Sequence, residues 1–252
     1  TSVFILEESG ALDVDDRLGR YLPRSAAADA TLRDLLAHVS GLPASSNLWE
    51  RASNPAQARQ MLLAEAPVAP AGRRHLYSCL GYVSLGLVIE EVSGASLDTV
   101  VADLISTPLG METLGFRPST GGETSFAATE MRSADDPRRP GLCCGQVHDE
   151  LSWSLGGVSG NAGLFSTAGD LLKFGRMLAN NGVTSNVERL LAPSSVSQMF
   201  GPVELGPESR DYRQGLGPRL GMYSLTGSHR LSLVGQSGIT RTALVSDTET
   251  RQ

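Results

Sequence analysis

Arg73-Arg74-His75-Leu76-Tyr77-Ser78-Cys79-Leu80-Gly81 is the stretch that decides how this chain is read. A Pro70-Ala71-Gly72 turn precedes it. A strongly apolar segment follows, carrying Leu80, Val83, Leu85, Leu87, Val88, Ile89 and Val92. That segment is apolar nearly all round, which predicts a buried helix. Tyr77 stands at its mouth. A tyrosine there is ordinarily a packed aromatic with a wet hydroxyl, but a buried helix is also a rigid mount for a catalytic group.

The bulk numbers narrow the classes. The chain has 252 residues, enough to bury a real core. No apolar run is long enough to span a bilayer. The net charge is −6 with no basic block, which disfavours nucleic acid, because phosphate contacts need clustered Lys and Arg. Three cysteines, Cys79, Cys143 and Cys144, make no disulfide framework. The adjacent pair cannot bridge without strain, and a bridge to Cys79 stays open. The four histidines are scattered and no C-x-x-C or H-E-x-x-H occurs, so no metal and no cofactor is expected.

The segments in chain order read mostly as helices at first. Residues 1–10 resemble the tail of an apolar helix ending at Gly10. Thr31 with Asp34 is a capping-box-like start for Leu32, Leu35 and Leu36, stopped by Gly41 and Pro43. His38 falls at that helix's C-terminus, where an imidazole suits the dipole. Residues 44–70 suggest short helices and loops. Ser96 caps a helix on Leu97, Val100, Val101, Leu104 and Ile105, which Thr107-Pro108 should end. Residues 112–150 are loop-rich, with Gly121-Gly122 and Asp135-Asp136-Pro137-Arg138-Arg139-Pro140-Gly141. Loops this long tend to be functional or mobile. Thr167 and Asp170 open a further helix closed by Asn180-Asn181-Gly182, and Pro193 opens another. The period then changes. Arg219–Tyr223, Leu231–Val234 and Thr240–Val245 read as antiparallel strands.

Several of these stretches resemble one family together. Leu35-Leu36-Ala37-His38-Val39-Ser40-Gly41-Leu42-Pro43, the tyrosine stretch, Leu87–Gly94 and Pro108-Leu109-Gly110-Met111 resemble the serine β-lactamase-related hydrolases. These are class C β-lactamases, penicillin-binding DD-peptidases and kindred esterases. Val147-His148-Asp149-Glu150 with Gly156–Thr167 resembles a subgroup pattern, VHDE…GGVAGHAGLFST, associated with peptidoglycan-related hydrolases. Asn161 stands where that pattern has His. The glycine-rich run reads equally as a structural turn or as a wall of the site.

The resemblance implies an α/β fold of the α+β type. An antiparallel sheet is flanked by helices, with a helical and loop-rich insert over about 31–154 and helix plus sheet over about 155–252. It implies a single domain cut at both ends, since the helix bearing the family's S-x-x-K would lie before Thr1 and no S-x-x-K occurs here. Such a piece would expose sheet edges and invite aggregation. It also implies an exported or membrane-anchored parent.

The resemblance further implies the site. The family's Y-x-N (sometimes Y-S-D) tyrosine faces a nucleophilic serine, and Tyr77 takes that position, with Cys79 in the third place. Gln236-Ser237-Gly238 stands where the family has K-T-G or H-T-G; the same residues also suit a simple hairpin turn. The substrate-binding residues would be Cys79, Gln236, Ser237 and Gly238, and the backbone N–H of Ile239 would be one oxyanion donor. A phenol has a pKa of about 10, so nearby positive charge must favour the ionised form before it acts as a base. Gln236 supplies none. The activity implied is acyl-enzyme hydrolysis of an amide or ester in a small molecule, β-lactam or cell-wall peptide. The rival reading is a non-catalytic peptidoglycan-ligand binder whose site decayed at Cys79, Asn161 and Gln236. A Ser-His-Asp triad is disfavoured, as no G-x-S-x-G occurs.

Overall fold

The computed structural model describes residues 1–119, 126–136, 138–203, 213–228 and 230–251. Gly121, Gly122 and Pro137 lie outside the described residues.

The first half is helical. It runs α1 (Ser2–Glu8), α2 (Leu32–Leu36), α3 (Leu48–Arg51), α4 (Pro55–Leu63), α5 (Cys79–Ser93), α6 (Leu97–Val101) and α7 (Thr107–Leu109). Thr31 and Asp34 form the expected capping box on α2. Thr107-Pro108 does not end the helical run. A π-turn over Ala102–Ser106 widens the helix ahead of Pro108, and Gly110 at φ 60° closes it. The wider turn accommodates a ring that would otherwise meet the carbonyl four residues back. Ser96 holds the N-cap position, but its hydroxyl turns to Asp98 Oδ1 instead of a backbone N–H.

The long loop carries β1 (Gly115–Phe116) and a hairpin of β2 (Glu130–Arg132) and β3 (Gly141–Cys143). Then follow α8 (Glu150–Ser154), β4 (Leu164–Phe165) paired with β1, α9 (Ala168–Ala179) and α10 (Pro193–Phe200). The C-terminal part is β5 (Arg213–Gln214), β6 (Arg219–Leu220), α11 (Tyr223–Thr226), β7 (Leu233–Ser237) and β8 (Ala243–Asp247). These four strands form one antiparallel sheet in sequential order. The architecture is therefore the expected mix of helices and antiparallel sheet. Strand limits shift, however. Gly221 at φ 85° and Met222 at φ 24° break extension after Leu220, so the segment through Tyr223 is not one strand. β7 starts at Leu233 and runs through Gln236 and Ser237, which places those two on a strand and not in the turn.

α5 is the hub of the core. Ser78 caps it, its Oγ accepting the Gly81 N–H at 3.2 Å, and Gly94 in the left-handed region ends it. Leu80, Val83, Leu85, Val88 and Ile89 are buried. Each such side chain contributes roughly 1.5–3 kcal/mol by leaving water. Gly86 costs helix propensity, about 1 kcal/mol against Ala. In return it lets the glycine-rich turn lie directly on the helix. A Cβ on Gly160 would stand 2.0 Å from the Tyr82 carbonyl oxygen, and one on Gly86 3.0 Å from Gly160 N. On the other side of the molecule α9 packs against β8. Ser246 Oγ donates to the Gly175 carbonyl at 3.1 Å, and Leu244 fills the space a Cβ on Gly175 would need.

Gly160→Ala should therefore destabilise the chain by about 3 kcal/mol, because backbone must move to admit the methyl. Gly94→Ala, which meets open space and only the left-handed backbone cost, should lose about 1 kcal/mol. Urea unfolding of both variants measures this contrast, and equal losses would contradict it.

Candidate active site

Tyr77 sits one residue before the cap of α5 and is 40% exposed. Its stretch is gripped by the loop that follows α2. Leu76 N–H donates to the His38 carbonyl at 2.9 Å, and Cys79 N–H donates to the Ala44 carbonyl at 2.9 Å. Ser78 Oγ donates to the Pro43 carbonyl at 2.6 Å. The Ser78 N–H donates to His38 Nδ1 at 3.1 Å.

His38 was expected to sit at a helix end with its imidazole serving the dipole. The structure corrects this. His38 adopts φ 58°, is buried, and turns its ring between two tyrosines, 4.4 Å from the Tyr77 ring and 4.8 Å from the Tyr82 ring, centroid to centroid. Burial, then the neighbouring His75 and Arg219, depress its pKa to about 3. It is neutral at ordinary pH. Because Nδ1 accepts the Ser78 N–H, the ring proton resides on Nε2. His75, half-buried, is lowered in the same direction by burial and by Arg219. Tyr82, partly buried on the far side of His38, donates to the Leu36 carbonyl at 3.0 Å.

The second wall is the sheet. Arg219 on β6 pairs with Gly235 on β7, and its guanidinium carbon lies 5.6 Å from the centre of the Tyr77 ring. That contact puts the Tyr77 ring within reach of β6, the strand next to β7. The β6–β7 register covers only Val234 and Gly235, so Gln236 and Ser237 continue past β6 while remaining paired to β8. Strand alternation puts Ser237 on the face of Gly235 and Arg219, and Gln236 on the opposite face with Leu244, toward α9. Gln236 Oε1 is buried and has no hydrogen-bond partner among the described residues. Gly238 opens the tight turn, its N–H donating to the Thr242 carbonyl at 2.8 Å. Ile239 is at the exposed tip.

The third wall was only half legible. Asp149 caps α8 by accepting the Ser152 N–H at 2.7 Å and also accepts from Asn161 Nδ2 at 3.1 Å. Ser159 Oγ donates to Asn161 Oδ1 at 2.7 Å. Burial, then the Asp149 charge, push the Cys79 thiol up, and the neighbouring Asn161 pulls the other way. The glycine-rich turn is thus a structural turn against α5 that also carries Asn161 to Cys79. Glu150 is tethered from behind by Arg132 at 2.6 Å, and Arg139 donates to the Val147 carbonyl at 2.6 Å. All three cysteines are free thiols. Among the described residues no group of His, Cys, Asp and Glu could hold a metal ion.

Sequence reasoning missed His38 and Arg219. In the sequence His38 reads only as a helix C-terminus. Nothing in the sequence pattern links Arg219 to Tyr77, since their contact depends on sheet register.

Tyr77 thus stands at the start of a buried helix with His38 against its ring and Arg219 of the sheet over it. The family model described as "Beta-lactamase" matches residues 1–251, and the chain belongs to that family. An Escherichia coli K12 relative named "Putative D-alanyl-D-alanine carboxypeptidase" is 33% identical over 209 residues, 73% of this chain and 48% of its own length. The chain thus spans about half the length of that relative. Two solved structures share the fold. A penicillin-binding protein homologue from Caulobacter crescentus aligns with TM-score 0.72 at 17% identity, over 99% of this chain and 71% of its own. EstCE1, a hydrolase with promiscuous acyltransferase activity, aligns with TM-score 0.74 at 19% identity, over 99% and 74%.

His38 also makes a pH prediction. Its folded pKa lies below its unfolded value of about 6.5, so the unfolded chain binds the extra proton. The neutral imidazole's contribution is complete above pH 6.5 and is lost as pH falls toward 3, by up to about 1.4 kcal/mol per pH unit. His38→Asn, whose side-chain oxygen can still accept the Ser78 N–H, should flatten the fall in melting temperature between pH 6.5 and 4. An unchanged slope would show that His38 does not titrate as described.

Proposed function

We propose that this chain carries most of the active site of a serine hydrolase that cleaves amide or ester bonds through an acyl-enzyme. The observation that carries the reading is the placement of Tyr77. It is half exposed, fixed at the mouth of α5, and lies under Arg219 of the strand next to β7 in a chain of the Beta-lactamase family.

In this mechanism Tyr77 takes the proton of a serine hydroxyl and returns it to the leaving group. A hydroxyl is a weak nucleophile and needs that adjacent base. No Ser-x-x-Lys occurs in the 252 residues, and this reading therefore requires a serine beyond them. The substrate lies along Gln236-Ser237-Gly238, where β7 runs past β6. The developing oxyanion is met by backbone N–H groups, that of Ile239 among them. Among the described residues that N–H meets no acceptor. Backbone donors persist through side-chain change, which suits a site whose third motif lacks a cation. Cys79, near Asn161, offers the substrate only a weak donor.

The substrate is a small molecule or peptide: a β-lactam, an ester or a cell-wall peptide. The E. coli relative's name favours a D-alanyl peptide. One family core serves all these reactions, and pocket shape separates them.

The test uses the protein together with its native upstream residues, exposed to a fluorescent penicillin and a short-chain p-nitrophenyl ester. Intact mass should show an adduct on an upstream serine. Tyr77→Phe should lower turnover by about 10²–10⁴-fold while leaving the melting temperature nearly unchanged. A folded protein that forms no adduct and turns over neither probe would favour the non-catalytic binder.

A further inference from the structure

The base assigned to Tyr77 requires positive charge close by, and position 236, where the resemblance implies a cation, is a neutral glutamine whose side chain turns toward α9. Lys173, the one lysine of the chain, is occupied elsewhere, bound to Asp170 at 2.8 Å and to the Gly110 carbonyl. His38 from the loop after α2 lies against the Tyr77 ring, with Tyr82 of α5 and His75 packed on His38 in turn, and Arg219 of β6 lies over the Tyr77 ring; Arg73 and Arg74, earlier on the same stretch, are exposed. His38 is neutral, and Tyr82 is partly buried and donates a hydrogen bond. Arg219 brings a fixed positive charge directly over the ring, 5.6 Å from its centre.

We propose that Arg219 is the positioning cation of this site, lying over the Tyr77 ring from β6 and stabilising the phenolate that a tyrosine base requires. The proposal rests on the reading of Tyr77 as the base. Its geometry is independent of the third motif: the charge comes from the strand beside β7 and approaches the ring face, not along β7 itself. Arginine suits this place because its planar guanidinium stacks on an aromatic and keeps its charge at every working pH. The reach of that charge is visible in its neighbours. After burial, Arg219 is a cause of the lowered proton affinity of both His75 and His38. A charge that disfavours imidazolium there favours phenolate on the ring it covers.

The test is spectrophotometric and needs no nucleophile. The phenolate absorbance of the chain is titrated, and the Tyr77 component is isolated by difference from Tyr77→Phe. Burial pushes both Tyr82 and Tyr21 upward, and the difference cancels these and the two remaining tyrosines, Tyr212 and Tyr223. In the wild-type chain the Tyr77 component should have its midpoint below that of free tyrosine, about 10. Arg219→Gln should move it up by about one pH unit, and Arg219→Lys should restore most of the difference. A loss of packing alone would not track charge in this way. A wild-type midpoint at or above that of free tyrosine overturns the proposal even if Arg219→Gln does not fold. A folded Arg219→Gln with an unmoved midpoint overturns it as well. Failure here leaves adduct formation by the extended protein untouched, so the two readings fail separately.

Discussion

The Ser78 N–H bond to His38 Nδ1 is the constraint from which the site follows. It joins the loop after α2 to the first residues of α5. Without it, the cap of α5 and the tyrosine beside it would be a flexible lead-in. With it, and with the Leu76 and Cys79 backbone bonds on either side, Tyr77 is held at both flanks while its ring stays half open. The bond demands a neutral, buried imidazole. His38 supplies one by leaving the helix in a left-handed turn that points its ring inward. A charged imidazole at the same place would lose the acceptor and strand a proton in apolar surroundings.

The second condition is close backbone contact. α5 carries Tyr82 and Gly86 on the side that meets the glycine-rich turn, and Gly160 lies against both. That contact brings Asn161 to Cys79 and ties the cleft floor to Asp149 and α8. The surrounding arginines act as anchors. Arg132 and Arg139 hold Glu150 and the neighbouring carbonyls, so the acidic end of α8 cannot drift from the hairpin beneath it. The buried Arg139 guanidinium is tolerated because it donates to the Val147 and His148 carbonyls and pairs with Glu150, while Arg132 leaves its Nε without a partner among the described residues.

Much of the fold was legible in the sequence. The capping box at Thr31 and Asp34, the proline start at Pro193 and the Asn180-Asn181-Gly182 stop act within a few residues, so local reading suffices. The apolar ring of α5 marked a buried helix for the same reason. Boundaries failed where neighbours intervened. Pro108 was absorbed by a π-turn, and β7 ran three residues beyond Val234 because β8 pairs with it there. Of the site, Tyr77, Cys79 and Gln236-Ser237-Gly238 were legible as positions, but not their facing.

The sequence by itself determined the helix caps, the buried character of α5, the place of Tyr77 at its start and the absence of a cation at position 236. These depend on residue type and short spacing. Only the tertiary structure decided that His38 turns inward between two tyrosines, that Asn161 reaches Cys79, and that Arg219 covers the Tyr77 ring. Arg219 and Tyr77 are far apart along the chain. Their meeting depends on the register of β6 against β7 and on how the sheet docks beside α5, and no local pattern encodes either.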